Sequence, residues 1–425
     1  MKVLIIGNGI AGNETAFKLR KLNSDIEITI ISAEKYPEYD PCSLPYYIGG
    51  DISRKIVFRK KLYDYKINNI NLVLDNEVTS IDTKAKNVTT VNGKNVLYDK
   101  LVLAYGGGVF VPPIKGIGLK GVFCCKKLSD AEKIIEHKGK KAVVVGSGAI
   151  GVEVAEALKK KGYDVVIIEL LDRILPTMFD EYIAKKLEKA LINYGINVLV
   201  NEKVEEVIGI SEVTGIKTDK REIKCDTVIF ATGVVIDKTL ARSANINTNK
   251  GIIVNNYLKT NIKDIYACGD CIESKDAITG EDCLYQLKHN AIEQAYIVSQ
   301  NISGCEKEYI GAYPFARAYF FETRSCSFGK TLNSYQDKKN IELIKYEKTN
   351  DYLQIILKDG KIVGAQSIGR YGDNIGLLMG AMWREDDINN IRKNKEAILQ
   401  IGSKYPWTYR KLISLLDINV YKKLK

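Results

Sequence analysis

One side chain that could carry redox chemistry is the thiol of Cys42, in the segment Asp40-Pro41-Cys42-Ser43-Leu44-Pro45-Tyr46-Tyr47. Proline suits the first turn of a helix, where the helix dipole and unpaired amides favour thiolate over thiol. A thiolate in that position can form a mixed disulfide with a small thiol, cycle through a persulfide or pass through a sulfenic acid. The alternative interpretation, a small buried core residue, fits the polar Asp-Pro-Cys-Ser context poorly. We therefore predict a redox-active sulfur here.

A glycine-rich motif near the start of the chain predicts a dinucleotide site. It reads Gly7-Asn8-Gly9-Ile10-Ala11-Gly12 and lies between an apolar run at residues 3–6 and a helix-like stretch to Leu22. A second apolar run, at residues 26–31, ends shortly before Glu34. In a βαβ unit of this kind the glycines permit a tight turn and close approach of a pyrophosphate. The helix N-terminus faces the phosphate charge, and the acid binds ribose hydroxyls.

The same pattern returns in the second quarter of the chain. An apolar run at residues 142–145 leads into Gly146-Ser147-Gly148-Ala149-Ile150-Gly151, and a second run ends at Glu169. Two copies in matching context make a chance match a poor explanation. Glu169 would accept hydrogen bonds from a ribose diol and would repel a 2′-phosphate, so the sequence predicts NADH in preference to NADPH.

The other cysteines and the histidines argue against metal chemistry. Cys268-Gly269-Asp270-Cys271 has the CxxC spacing, but no second CxxC completes a four-thiolate site, so we predict a structural role for this pair. The remaining cysteines are predicted to be small core residues. The chain has only two histidines, His137 and His289, which excludes a His-rich metal site and leaves little scope for a histidine acid or base. We predict no metal site.

The formal net charge of +11 suggests an acidic partner, and a basic run lies at residues 54–61, soon after Cys42. Such a run is commonly a solvated face. The sharper interpretation is electrostatic guidance of an anionic, phosphate-bearing substrate toward the thiol. Basic residues are otherwise spread along the chain without a recognition motif, so no nucleic-acid partner is predicted.

Length and composition predict a globular protein of two or three domains, because 425 residues exceed one ordinary core and 45% of them are hydrophobic. No apolar run is long enough to span a membrane, and the chain enters a buried-type strand at once. These features predict a cytoplasmic protein without a membrane partner.

Strand-then-glycine endings occur in both nucleotide units, first before Tyr105-Gly106-Gly107-Gly108 and again at Ala231-Thr232-Gly233, which indicates an internal duplication. From about Gly311 the sequence becomes rich in aromatic strand-like segments, with a helical tail from about Asn374. We predict an FAD-binding domain from residues 1–117 and 241–310, an NAD-binding domain from residues 118–240, and a C-terminal α+β dimerisation domain from residues 311–425.

These features resemble the pyridine-nucleotide disulfide oxidoreductase family over essentially the whole chain. The resemblance is carried by the two glycine motifs, the turn Ala231-Thr232-Gly233 and the stretch from Thr260 to Asp270. The chain is similar to the single-cysteine branch, which contains coenzyme A disulfide reductases, NADH oxidases, NADH peroxidases and archaeal sulfur-handling relatives. The glutathione-reductase branch has a CxxxxC pair in its first domain and a histidine-glutamate pair near its C-terminus, and this chain has neither.

Three positions depart from the pattern of the family. Glu38 stands where members of the branch commonly carry serine, and Tyr105 stands where the first alanine-threonine-glycine turn has threonine. Ile10 stands where the oxidases and peroxidases carry a histidine. The missing histidine argues against an enzyme optimised for oxygen or hydrogen peroxide.

The resemblance implies an α/β fold with two Rossmann-like dinucleotide-binding domains, for FAD and NAD, followed by the C-terminal α+β domain of a homodimer. In the family the aspartate at the position of Asp270 binds the ribityl chain of the flavin, and the helix beginning near Leu287 points its positive end at the flavin ring. The predicted cofactor-binding residues are Gly7, Gly9, Ile10, Ala11, Gly12, Glu34, Val78, Ala104, Tyr105, Gly106, Asp270, Leu287, Gly146, Gly148, Ile150, Gly151, Glu153, Glu169 and Gly233.

If the chain follows the coenzyme A branch, the pantetheine arm lies near Cys42. The predicted substrate residues are then Arg20, Ser43, Lys66 and Tyr405. The two basic residues would face nucleotide phosphates, and the tyrosine would come from the C-terminal domain of the other subunit. The alternatives are solvated charges for Arg20 and Lys66, and packing for Tyr405.

The leading hypothesis is an NADH-dependent FAD reductase that acts on coenzyme A disulfide, persulfide or polysulfide through Cys42. One alternative is an NADH oxidase that reduces oxygen. Another is a reductase of an electron-carrier protein such as rubredoxin, which needs no cysteine at this position. Outside enzymes, the chain could be a flavin redox sensor that is reduced once and stops.

Overall fold

Two apolar runs that end at glycine-rich turns become the central strands of two parallel sheets. The computed structural model of the chain describes residues 1–388 and 421–423. Within these residues the α-helices are α1 (Ile10–Leu22), α2 (Leu44–Gly49), α3 (Arg54–Val57), α4 (Leu62–Ile67), α5 (Leu128–Glu136), α6 (Ala149–Lys160), α7 (Glu181–Asn193), α8 (Thr239–Ser243), α9 (Lys288–Ile302) and α10 (Ile375–Trp383). Short 3₁₀ turns lie at Pro41–Ser43, Leu332–Ser334 and Gly369–Asn374.

The strands fall into seven sheets within the described residues. Up to the first crossover they are β1 (Lys2–Ile6), β2 (Glu27–Ile31), β3 (Ile70–Val73), β4 (Val78–Asp82), β5 (Asn87–Thr90), β6 (Asn95–Leu97), β7 (Lys100–Leu103), β8 (Gly108–Val109) and β9 (Val122–Cys124). The next group is β10 (Lys141–Val145), β11 (Asp164–Ile168), β12 (Ile196–Leu199), β13 (Val204–Gly209), β14 (Val213–Thr218), β15 (Glu222–Lys224), β16 (Thr227–Phe230), β17 (Val234–Val235), β18 (Ile252–Ile253), β19 (Ile265–Ala267), β20 (Ile272–Lys275) and β21 (Asp282–Cys283). The last group is β22 (Phe315–Phe320), β23 (Thr323–Gly329), β24 (Ile341–Lys348), β25 (Asp351–Lys358), β26 (Lys361–Ile368) and β27 (Tyr421–Lys423).

One compact unit comprises Met1–Pro112, Cys124–His137 and Gly233–Tyr313. Its central sheet is parallel and has the order β19-β7-β1-β2-β3. The last four residues of β1 are all buried, as expected for a parallel strand that is covered on both faces. Helix α1 packs against β1, β2 and α9. The glycine motif between β1 and α1 therefore lies at the carboxyl edge of this sheet.

The other compact unit comprises Pro113–Phe123, Lys138–Thr232 and the described residues from Pro314 onward. Its parallel sheet has the order β12-β11-β10-β16-β9. In both units the strand before the glycine motif lies between the strand that ends near the acid and the strand that ends in the second glycine turn. The equivalent order supports the predicted internal duplication.

The same unit contains a six-stranded sheet with the order β22-β23-β26-β25-β24-β27, in which the pairs are antiparallel. Strand β25 is buried along seven of its eight residues. Helix α10 packs against β26 and β23, and α6 packs against β22.

The predicted fold class is confirmed, with two parallel nucleotide-binding sheets and a C-terminal α+β segment. The helical tail predicted from about Asn374 begins at Ile375. The helix expected to begin near Leu287 begins at Lys288, and in the segment before it the Tyr285 hydroxyl donates to Asp276 at 2.6 Å. The division into three domains stays a prediction. No helix of the described residues is both long and apolar enough to cross a membrane.

Candidate active site

The first glycine motif forms a tight cradle at the carboxyl end of β1. Gly7 has a φ of +111°, and a Cβ there would lie 2.3 Å from the carbonyl oxygen of Ala104. A Cβ at Gly12 would lie 2.0 Å from the carbonyl oxygen of Gly7, so the first turn of α1 packs directly on the loop. Among the described residues, no heavy atom lies within 4 Å of a Cβ built at Gly9. The open side at Gly9 and the start of α1 therefore fits a phosphate-bearing ligand.

The predicted flavin-binding turn at Asp270 comes close to this cradle. The amide of Gly269 donates to Oε1 of Gln294 at 2.8 Å. A Cβ at Gly269 would lie 2.8 Å from the Cβ of Ala11, so the turn touches the start of α1. The Lys126 ammonium lies 3.2 Å from the Asp270 carboxylate. These contacts place Asp270 beside the first glycine motif, which is the arrangement that its predicted role requires.

Helix α9 begins at Lys288, with Leu287 as its N-cap residue. This agrees with the helix start predicted near Leu287. Helix α9 packs against α1, the helix that follows the first glycine motif.

Glu34 is connected to the segment of Cys42 through a tyrosine. The Tyr39 hydroxyl donates to Oε2 of Glu34 at 2.8 Å and accepts from the amide of Leu128 at 3.2 Å. Burial raises the pKa of Tyr39, and the neighbouring Glu34 raises it further, so the phenol stays a donor. The acid predicted to bind ribose hydroxyls is thereby fixed to a residue that precedes Cys42 in the same loop.

Cys42 is exposed and lies in the 3₁₀ turn Pro41–Ser43, which runs directly into α2. The Asp40 carboxylate caps this turn by accepting the amide hydrogen of Cys42 at 3.1 Å. The predicted helix start at Pro41 is therefore confirmed, and the alternative interpretation of Cys42 as a buried core residue is wrong. Asp40 is also paired with the ammonium of Lys288.

Glu38, one of the departures from the family pattern, is 1% exposed. Its backbone amide donates to the Tyr65 hydroxyl at 3.1 Å, and that hydroxyl donates to the Asn13 side chain at 2.7 Å. Nε of Arg59 lies 3.1 Å from Oε1 of Glu38, and Nη2 of Arg59 lies 3.3 Å from Glu14. The N–H of Arg59 does not point at Oε1, which leaves a buried ion pair in which this oxygen has no hydrogen bond within the described residues. Tyr65 and Asn13 thus link the loop of Cys42 to α1.

Burial raises the pKa of Glu38 to about 7, although the charges of Arg59 and Lys60 oppose the shift. A raised pKa means that the folded protein holds this proton more tightly than the unfolded chain does. Glu38 therefore stabilises the fold below its ordinary pKa of 4.5, and this contribution is lost as the pH rises through about 7.

We expect Glu38→Gln to gain stability relative to the wild type as the pH rises, because the amide cannot acquire a buried charge. The gain between about pH 5 and about pH 8 should be roughly 2–3 kcal/mol. The measurement is the thermal unfolding midpoint of both holoproteins at the two pH values. The difference between variant and wild type is compared, because the other carboxyl groups contribute equally to both proteins. An equal difference between variant and wild type at both pH values would contradict the prediction.

The second glycine motif repeats the geometry of the first. A Cβ at Gly146 would lie 2.5 Å from the carbonyl oxygen of Ala231, and a Cβ at Gly151 would lie 2.1 Å from the carbonyl oxygen of Gly146. At Gly148, as at Gly9, a Cβ would meet nothing within 4 Å among the described residues. This cradle therefore also opens at its second glycine.

Glu169 follows β11 and is held beside the second motif by three hydrogen bonds. Oε2 accepts from the amide of Ser147 at 2.8 Å and from its hydroxyl at 2.6 Å, and Oε1 accepts from the amide of Leu171 at 2.9 Å. The side chain is buried, with 8% exposure. A carboxylate fixed in this way keeps its position against the second residue of the glycine motif.

Glu153 lies on α6, one turn into the helix that follows the second motif. Burial, and to a smaller extent the neighbouring Glu156, raise its pKa to about 8. Glu156 itself accepts the amide hydrogen of Phe321 at 2.9 Å. A carboxyl group with this pKa can exchange a proton near neutral pH.

The remaining predicted cofactor residues lie on several different elements. Ile10 and Ile150 lie in the first turns of α1 and α6, and Val78 is buried at the start of β4. Gly233, with a φ of +104°, accepts from the amide of Phe110 at 2.9 Å.

Ala104, Tyr105 and Gly106 form the turn after β7, and Gly106 has a φ of +72°. The amide of Ala104 donates to the carbonyl oxygen of Ile6 at 2.8 Å. The buried hydroxyl of Tyr105 has no hydrogen-bond partner among the described residues, and burial raises its pKa. An orphaned buried donor beside the first cradle is consistent with a polar ligand at this place.

The Arg20 side chain is hydrogen-bonded to main-chain atoms of its own unit. Its guanidinium donates to five carbonyl oxygens, those of Asn23, Ser24, Ile26, Asn68 and Asn69. This arrangement supports a structural role, and the predicted contact of Arg20 with a substrate phosphate stays untested.

The other predicted substrate residues differ in position. The Ser43 hydroxyl donates to the carbonyl oxygen of Asp40 at 2.7 Å, which reinforces the turn of Cys42. Lys66 is exposed in the last turn of α4. Tyr405 lies outside the described residues.

Some of the charges in the basic run at residues 54–61 are neutralised by ion pairs within the protein. Arg54 and Arg59 form ion pairs with acidic side chains, whereas Lys55 and Lys61 are exposed. Electrostatic guidance of a substrate by this segment stays a prediction.

The CxxC pair is structural, as predicted. Cys268 and Cys271 are fully buried, and burial raises the pKa of Cys268 to about 12. The Cys271 thiol donates to the carbonyl oxygen of Leu103 at 3.4 Å. Cys305 is exposed, so the prediction that all the remaining cysteines belong to the core is wrong for this one.

Sequence reasoning missed Tyr39, Tyr65 and Lys288 as residues of the site. Tyr39 had a local signal, because it lies between Glu34 and Cys42 in the same loop. Lys288 is 248 residues away from its partner Asp40, and nothing in the sequence pairs them.

Comparison with known proteins assigns the chain to a family. The model of the pyridine nucleotide-disulphide oxidoreductases matches residues 1–295. The chain belongs to this family. As a pyridine nucleotide-disulphide oxidoreductase it is an enzyme that uses FAD and a pyridine nucleotide. The glycine cradles and the Asp270 turn fit these two cofactors.

Three relatives of this oxidoreductase are informative. It is 35% identical over 408 residues to an NADH oxidase of Methanocaldococcus jannaschii, across 90% of each chain. It is 31% identical over 338 residues to an NAD(P)H coenzyme A polysulfide/persulfide reductase of Pyrococcus horikoshii, across 78% of this chain and 75% of that protein. The solved structure of an NAD-dependent persulfide reductase from A. fulgidus has a TM-score of 0.86 and 30% identity, and the match covers 92% of this chain and 79% of that one.

Proposed function

We propose that the protein is an NADH-dependent reductase of low-molecular-weight disulfides, persulfides or polysulfides, with coenzyme A derivatives as the substrate class and Cys42 as the reacting thiol. For a disulfide the balance is one NADH, one proton and one disulfide in, and NAD⁺ and two thiols out. We propose further that it works as a homodimer.

The observation that carries this proposal is the setting of Cys42. The thiol is exposed on a capped helical turn, and its loop is tied to the acid of the first motif by Tyr39. Tyr65 ties the same loop to α1. A cysteine that served only packing would need neither exposure nor this anchoring.

Different residues of the chain would bind the cofactors and react with the substrate. FAD, when bound, would supply the two-electron chemistry that connects the nicotinamide to sulfur. The first cradle and Asp270 would hold FAD, and the second cradle and Glu169 would hold NADH. The turn at Pro41–Ser43 keeps the Cys42 thiol exposed, and a thiolate there attacks a sulfur–sulfur bond, which forms a mixed disulfide and releases one thiol after protonation.

A second candidate function is NADH oxidation by oxygen. The M. jannaschii relative, which matches over 90% of the chain, carries the name NADH oxidase. Ile10 occupies the position where oxidases of the branch carry histidine, which favours the sulfur reductase.

The deciding experiment is anaerobic NADH oxidation by the purified holoenzyme with coenzyme A disulfide, with polysulfide and with rubredoxin, run beside an aerobic assay without any other acceptor. We expect the sulfur acceptors to support faster turnover than air-saturated buffer. In air we expect hydrogen peroxide from a slow leak, in an amount equal to the NADH consumed.

Rapid aerobic turnover that yields water, with no anaerobic turnover on either sulfur acceptor, would favour the oxidase. Anaerobic turnover with rubredoxin alone would favour an electron-carrier reductase. A protein that is reduced once by NADH and then stops with every acceptor would be a redox sensor.

A further inference from the structure

One carboxylate contacts both the turn of Cys42 and the start of α9. Oδ1 of Asp40 accepts the amide hydrogen of Cys42, and Oδ2 accepts from the ammonium of Lys288. The main chain of Asp40 is fixed as well, because its amide donates to the carbonyl oxygen of Val57 at 2.9 Å and its carbonyl oxygen accepts from the amide of Ser43 at 3.0 Å. The carboxylate cannot turn away from Lys288 without disturbing the cap.

Lys288 occupies a position that helix electrostatics disfavours. It is the first residue of α9, where the positive end of the helix dipole repels a cation, and the first turn of α9 contains no acidic residue. The pairing with Asp40 offsets this repulsion. A lysine in this position does not stabilise its own helix through the dipole, and its ion pair with Asp40 connects it to the cap of Cys42.

The two charges act on the thiol in opposite directions. A carboxylate two residues from Cys42 disfavours a neighbouring thiolate, and an ammonium paired with that carboxylate offsets its effect. Glu38 is a second carboxyl group that interacts with Asp40, and it faces Arg59, Lys60 and Glu14.

We propose that Asp40 and Lys288 are positioning residues that act together, Asp40 by fixing the main chain of Cys42 and Lys288 by neutralising the cap so that the thiolate can form. This inference rests on the proposed function, in which Cys42 is the reacting thiol. It concerns how that thiol is regulated and is independent of which sulfur compound it reduces.

The test uses the holoenzyme with oxidised FAD and with Cys42 as a thiol. The rate of alkylation of Cys42 by iodoacetamide is measured as a function of pH, by mass spectrometry of the peptide that contains Cys42. The exposed Cys305 serves as an internal reference in every sample. Lys288→Gln leaves the carboxylate without its cation, so the midpoint of the profile should move to higher pH and the rate at neutral pH should fall about three- to tenfold. Lys288→Arg keeps the charge and should restore the wild-type profile.

Asp40→Asn should shift the midpoint of the alkylation profile in the direction opposite to that of Lys288→Gln. It keeps a side-chain oxygen for the amide of Cys42 and leaves the ammonium unpaired, so the midpoint should move to lower pH. The double variant Asp40→Asn/Lys288→Gln should lie between the two single variants. Glu38→Gln is made alongside, because a step in the wild-type profile that disappears in this variant belongs to Glu38 and not to the pair.

Midpoints that move in the same direction in both single variants, or rates that change without any shift of the midpoint, would overturn the proposal and leave the pair as a structural cap. If Asp40→Asn does not retain FAD, the comparison of Lys288→Gln with Lys288→Arg still tests the proposal. Equal alkylation midpoints in these two variants would then overturn it. Failure of this inference can be distinguished from failure of the proposed function. Alkylation needs no electron acceptor, so it reports the ionisation of the Cys42 thiol whichever compound the enzyme reduces.

Discussion

Cys42→Ser is expected to abolish turnover with disulfide and polysulfide acceptors, with a loss on the order of a thousandfold or more, because it removes the nucleophile that attacks the sulfur–sulfur bond. FAD binding and reduction of the bound cofactor by NADH should remain intact. The cradles and Asp270 do not involve the thiol, and serine keeps the backbone amide that Asp40 caps. The measurements are anaerobic steady-state rates with each acceptor, and a single-turnover reduction of the bound cofactor.

The matched control is Cys305→Ser, which removes the other exposed thiol at a site outside the loop of Cys42. This variant should keep wild-type rates with every acceptor. Full activity of Cys42→Ser with all acceptors would make the thiol a bystander and move the electron-carrier reductase ahead. Loss of FAD from Cys42→Ser would instead give Cys42 a structural role.

The product of the oxygen reaction refines this result. An oxidase that forms a sulfenic acid at Cys42 should yield mostly water in the wild type and hydrogen peroxide in Cys42→Ser. Peroxide from both proteins is the outcome we expect, since it means that oxygen reacts only as a leak.

The parts of the site that sequence patterns predicted are those built from local contacts. Gly12 and its equivalent Gly151 are required because a Cβ at either would lie 2.0 Å or 2.1 Å from the carbonyl oxygen of the first glycine of the same motif. The helix start predicted at Pro41 is equally local, since the Asp40 side chain accepts from the amide two residues ahead. Such constraints are written into short segments and can be read without a structure.

The parts that sequence patterns missed depend on distant partners. The ion pair of Asp40 with Lys288 joins the loop of Cys42 to the start of α9, and two of the five carbonyl oxygens that Arg20 contacts belong to residues 68–69, far away in the sequence. Glu38 was visible only as a departure from a family pattern. Its burial and its raised pKa follow from α1 and α4 packing around the loop, which no periodicity in the loop itself reports.

The choice of nicotinamide cofactor should follow from the charge of Glu169. Its carboxylate is buried and held by Ser147 and Leu171, so it cannot swing away from a ligand at the second cradle. A 2′-phosphate brought against this fixed charge would leave an unpaired like-charge contact worth roughly 1–3 kcal/mol, and NADH should be preferred over NADPH about ten- to a hundredfold in kcat/KM.

Glu169→Gln is expected to reduce that preference by about tenfold, because it removes the charge and keeps a side-chain oxygen for the amide of Ser147. The measurement is kcat/KM for NADH and NADPH with one sulfur acceptor, in the wild type and the variant, with the unfolding temperature recorded to separate specificity from stability. Asp172→Asn is the matched control, since it removes an exposed acidic charge three residues along the chain that is paired with Arg173. The control should leave the ratio near the wild-type value, because a solvated and paired charge is screened. An equal change in both variants would assign the preference to the general field of the loop, and equal or reversed use of NADPH by the wild type would show that Glu169 does not face the ribose.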